Sequence, residues 1–178
     1  KNAPQNYTST VEYGTDKLAQ SLKGIAQVHL SGLGTRIFYT EFGGFDVHAL
    51  ESKVQPDLWS TVSSAVTDFF DDLREHNASD NVVMMIFSEF GRRVKDNGGG
   101  TDHGSGGGAF LVGDHVNGGL YAEYPSLSPD NLLDGDLHYN NDFRGLYSSI
   151  LEQWLDMNPT PILNGSFEQF DNIVTALN

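Results

Sequence analysis

Val82-Val83-Met84-Met85-Ile86-Phe87 is an unbroken apolar run that passes directly into Ser88-Glu89-Phe90-Gly91-Arg92-Arg93. A short apolar run without polar alternation reads as a strand covered on both faces, the habit of parallel sheets. Two further runs share this character, Arg36 to Phe42 and Ala109 to Val112. What lies between and around them decides how the runs are connected.

Three segments carry the 3.6-residue period of amphipathic helices. The first spans about Thr15 to Ser31, with Leu18, Leu22, Ile25 and His29 in one stripe, Thr15 as cap, and Gly32 and Gly34 as terminators. The second opens at Pro56-Asp57, both suited to a first turn, and aligns Leu58, Val62, Ala65, Val66, Phe69 and Leu73 before ending near His76. The third starts at Asn141 or Asp142. It presents Phe143, Leu146, Tyr147, Ile150, Trp154 and Leu155, and Asn158-Pro159 stops it. Gly113 to Asn140 reads as an irregular surface excursion. The order helix, strand, helix, strand, glycine loop, strand implies βαβ crossovers. The expected fold is therefore one α/β domain over residues 1–178, a three-layer α/β/α sandwich with a mainly parallel sheet. The second and third helices should bury Leu58, Val62, Val66, Phe69, Leu73, Phe143, Ile150 and Trp154 against that sheet.

Composition narrows the partners. The 178 residues are 38% hydrophobic and 11% aromatic, enough for a packed core. A net charge of −14 excludes nucleic acid, whose phosphates need a basic surface. Basic residues never cluster beyond Arg92-Arg93. No run approaches the roughly 18 apolar residues of a membrane helix. Absence of cysteine removes disulfides and thiolate-bound zinc.

In open parallel sheets, ligands gather at the carboxyl ends of strands. The first run ends in Gly43-Gly44-Phe45-Asp46-Val47-His48, the second in Ser88-Glu89-Phe90-Gly91-Arg92-Arg93, and Gly98-Gly99-Gly100-Thr101-Asp102-His103-Gly104 precedes the third. Asp46 and His48 stand two apart, so in extended backbone both point the same way and could chelate one ion. Oxygen plus imidazole suits zinc, manganese or iron better than calcium. Asp102 and His103 are adjacent and would face oppositely in a strand, unless the flanking glycines turn the chain. Each element also has a plainer reading: Asp-x-His as a surface turn, Asp102-His103 as a solvated loop, Glu89 as a helix cap or a partner of Arg92. Their coincidence at the expected sheet edge favours a metal. His29 reads as a packed or boundary residue, and His76 as a helix terminus. His115 and His138 stand in loops without an identifiable partner. No phosphate loop is present, and Leu132 breaks the calcium-loop pattern.

Phe42 to His48, Phe87 to Arg93 and Gly100 to Gly104, with Gly118-Gly119-Leu120-Tyr121, Asp134-Gly135-Asp136-Leu137 and Asp142-Phe143-Arg144, resemble a family of exported bacterial proteins of unknown function related to sulfatases and alkaline phosphatases. The resemblance implies an alkaline-phosphatase-like fold in which Asp and His at strand ends hold divalent metal, here zinc, manganese or calcium. It implies Asp46, His48, Glu89, Asp102 and His103 as metal ligands, Arg92 as an anion-binding residue, and a small phosphate or sulfate ester as substrate. Export would place the protein in the periplasm or outside the cell.

Two departures stand against direct transfer. Glu89-Phe90-Gly91 occupies the place where the superfamily shows Asp-His-Gly, and phenylalanine cannot ligate metal. The strand that carries the superfamily's nucleophile has no counterpart, so the chain resembles the C-terminal part of a longer protein and should show no esterase turnover alone. The expectation is a metal-dependent hydrolase-like domain; the rival is a non-catalytic binding or structural module.

Overall fold

A computed structural model describes residues 7–175, which fall into two compact units, the first ending at Asp80 and the second beginning at Asn81. The parallel sandwich expected from the sequence is not what the chain builds. Among the described residues its strands form two separate two-stranded ladders, both antiparallel.

In the first unit, α1 (Lys17–Leu30) packs on α2 (Glu51–Glu75). Asp16, one residue beyond the expected Thr15, caps α1 by accepting the N–H of Ala19 at 3.0 Å. Leu18, Ala19, Leu22 and Ala26 are buried on α1, and Val62, Ala65, Phe69, Phe70 and Leu73 on α2. Val62, Phe69 and Leu73 thus face a core as the period required, but their cover is a helix and not a sheet; Leu58 and Val66 are only half-buried. The second helix also begins earlier than Pro56, at Glu51 behind a left-handed Leu50 (φ 57°). Arg36 to Phe42 is not a strand. Among the described residues it has no ladder partner, and Ile37 and Tyr39 are exposed by 73% and 75%.

In the second unit, β1 (Met84–Ile86) pairs with β4 (Phe110–Val112), Met84 opposite Val112 and Ile86 opposite Phe110. Between them the chain folds into a hairpin of β2 (Gly91–Asp96) and β3 (Thr101–Gly104). No crossover helix lies between β1 and β4, so a parallel pair is not formed. The segments taken from the sequence as loops, Gly91-Arg92-Arg93 and Thr101 to Gly104, are themselves the ladder. Gly91 sits so close to the opposing chain that a Cβ there would lie 1.9 Å from the carbonyl oxygen of Gly106. The hairpin turns at Asn97, whose side-chain oxygen accepts the N–H groups of Gly99 and Gly100, each at 3.1 Å.

The third helix, α3 (Phe143–Gln153), is capped by Asp142, which accepts the Arg144 N–H at 2.9 Å. Its buried face is Gly145, Ser148 and Ser149, while Phe143 is 70% exposed and Ile150 and Trp154 are half-buried. This overturns the apolar stripe expected from periodicity. The small face is used because α3, followed by the short α4 (Thr160–Leu163), receives the returning segment 168–173 and not a sheet. Phe170 donates its N–H to Ser149 Oγ at 2.8 Å, and Ile173 donates to Gln153 Oε1 at 3.1 Å. A Cβ on Gly145 would meet the Glu168 carbonyl oxygen at 2.2 Å.

Candidate metal centre

The loop carrying Asp46 and His48 is fixed by its aromatics. Phe45 meets Phe42 edge-on at 6.1 Å and Trp59 of α2 at 5.2 Å. Gly44 takes φ +104°, a conformation that strains any other residue, and Leu58 Cδ2 lies 3.1 Å from where its Cβ would stand, so a side chain there would also press on Leu58. The Val47 N–H closes back on the Phe45 carbonyl at 2.9 Å. This tight turn brings the two flanking side chains together, with His48 Nε2 3.1 Å from Asp46 Oδ1. Both are largely solvent-facing, His48 by 50% and Asp46 by 66%.

Two donors of a tetrahedral ion at about 2.0–2.1 Å lie roughly 3.3 Å apart. The Asp46–His48 separation therefore fits a shared ion, just as it fits a hydrogen bond. An oxygen and an imidazole nitrogen are the donor types that zinc and manganese accept.

The other expected ligands belong to the second unit. Glu89 is exposed in the bend after β1; β2 follows it, so it caps no helix. Asp102 and His103 sit in β3, where neighbouring side chains leave opposite faces of the strand. Asp102 Oδ1 accepts from Asn97 Nδ2 at 3.0 Å, whereas the His103 ring stacks on Phe90 at 3.8 Å and 10°. The flanking glycines do not turn the pair onto one point. Arg92, expected to bind anions, donates from Nη1 to the Thr101 carbonyl at 2.6 Å and places its guanidinium 5.1 Å from the centroid of Phe90. Phe90 is thus a platform contacted by both Arg92 and His103, a role that a residue unable to ligate metal can still fill.

The sequence pattern of a family described as "Protein of unknown function (DUF1501)" matches residues 4–143. The chain belongs to the DUF1501 family. No curated protein and no solved structure matches it. The DUF1501 match takes in the Phe42–His48 turn and the whole β2–β3 hairpin, and it ends where α3 begins.

One cluster escaped the sequence reading. Asp72 of α2, with no solvent exposure, accepts the phenol protons of Tyr7 at 2.5 Å and Tyr13 at 2.7 Å. Burial first, then the bonds to Asp72, pushes both phenols above the ordinary value of 10. The legible signal was Asp72 and His76 at helical spacing, with two tyrosines upstream.

Proposed function

We propose that this DUF1501 chain is a metal-dependent hydrolase-like domain of the alkaline phosphatase/sulfatase type, directed at phosphate or sulfate esters, with Asp46 and His48 as a metal-binding segment. The observation that carries this reading is the turn at Phe45–Val47, which holds a carboxylate oxygen and an imidazole nitrogen 3.1 Å apart in an exposed position. A bound divalent ion would supply Lewis acidity and charge stabilisation to an ester. The chain's own contribution is to fix the two donors through Phe45, Trp59 and Gly44. The net charge of −14 favours a cation and disfavours a bare anionic substrate, which makes the ion the element that reconciles substrate with surface. Activity outside the cytoplasm belongs to the same proposal.

A second reading, a binding module without chemistry, is favoured by two observations. Phe90 stands where a ligand is wanted, and the Ser88 hydroxyl, the nearest nucleophile candidate at the end of β1, accepts the Phe90 N–H at 3.3 Å. The first reading needs the metal segment to bind an ion; a binding or structural module that only keeps the fold does not.

Calorimetric titration of zinc or manganese into the chain tests it. Asp46→Asn and His48→Ala should each weaken binding by at least about tenfold. Equal affinity in all three proteins would sink the proposal.

A further inference from the structure

We propose that His76 is a pH-governed latch that holds the segment Tyr7–Tyr13 on the C-terminal end of α2. His76 Nδ1 lies 2.8 Å from the Asp72 carbonyl oxygen and Nε2 lies 2.9 Å from the Thr8 carbonyl oxygen. Carbonyl oxygens only accept, so both ring nitrogens must donate, and an imidazole with two N–H groups is a cation. The proton is therefore part of the fastening. One N–H ties the ring to its own helix, and the other reaches the upstream segment. Neutral imidazole keeps one proton, so one carbonyl then faces a bare lone pair.

The surroundings are built for that cation. Asp72 Oδ1 is 3.3 Å from Nδ1, buried, and without a hydrogen bond of its own among the described residues. The Tyr7 ring stacks on the imidazole at 5.7 Å and 19°. His76 caps α2, where positive charge favours the helix dipole. The charged and titratable groups around the latch are Asp72 and Glu75 from α2 and Tyr7 and Tyr13 from the upstream segment, with Lys23 of α1 over the Tyr13 ring and Asp68 acting on its phenol. Glu75 is the second fastening: it accepts the Thr10 N–H with both oxygens, at 3.0 and 3.1 Å, and the Thr10 hydroxyl at 2.8 Å.

The sign of the pH dependence follows. The bond to the Asp72 carbonyl, then that to Thr8 and the Asp72 and Glu75 charges, raise His76 above its ordinary 6.5 despite partial burial. Its hold is complete below 6.5 and is lost as pH rises through the raised value. The Thr10 hydroxyl and amide depress Glu75 below its ordinary 4.5, so that hold is present above 4.5 and lost as pH falls through the depressed value. The segment is fastened at both points between these limits and loosens first on the alkaline side.

Nuclear magnetic resonance on the whole chain tests this, from about pH 5.5 to about pH 8.5. The His76 ring signals should titrate with a midpoint above 6.5. The protection of the Thr10 amide against hydrogen exchange, corrected for intrinsic rate, should fall by about tenfold along the same curve. In His76→Gln, protection should be low and flat across the range. A His76 midpoint at or below 6.5, or Thr10 protection unmoved through the titration, overturns the latch even if the variant fails to fold.

Discussion

Asp72 shows what a single buried side chain can organise. Two phenols donate to one of its oxygens, so each hydroxyl removed leaves a buried acceptor less satisfied. Tyr13→Phe should cost about 1–3 kcal/mol in chemical denaturation, because the ring stays and only the hydrogen bond goes. A loss well under 1 kcal/mol would mean that the Tyr7 phenol alone satisfies the carboxylate. At this scale the sequence was legible where spacing determined geometry. Asp46 and His48, two apart, do meet. Asp102 and His103 do not converge, because their direction depends on whether Thr101–Gly104 is a turn or a strand, and glycine permits both. Tyr7 and Asp72 are 65 residues apart, and no local pattern announces such a pairing.

Among the elements, helices were readable and strands only in part. The 3.6-residue period located α1, α2 and α3 within a few residues, because each has one face that must leave water. The period cannot say what covers that face, and for α3 it chose the wrong side. Gly145, Ser148 and Ser149 are buried since the segment 168–173 must come close enough to hydrogen-bond with Ser149 and Gln153. Gly145→Ala would drive a methyl into the Glu168 carbonyl. It should destabilise the second unit by about 1–3 kcal/mol, measured by thermal or denaturant unfolding, where an exposed helix position would gain from alanine. A stabilising Gly145→Ala would show that the contact is not made. Arg36 to Phe42 has the composition of a strand but no ladder partner among the described residues, and composition cannot supply one.

For the whole molecule, the parallel sandwich failed because apolar runs look alike in parallel and antiparallel pairs. Only the connection distinguishes them, and here β1 reaches β4 through a hairpin. The Asp46–His48 turn does not depend on that correction, since it is fixed locally by Phe45, Trp59 and Gly44 and needs no parallel sheet. An acidic chain will attract cations over much of its surface, so bound metal alone proves little. What matters is where the ion sits. Paramagnetic manganese, added in small amounts while the backbone amide signals are recorded, reports that directly. Broadening should begin at Phe45, Asp46, Val47 and His48, and it should disappear there in the Asp46→Asn, His48→Ala double variant. Broadening spread evenly over the carboxylates, and unchanged by the double substitution, would contradict a metal segment at Asp46 and His48.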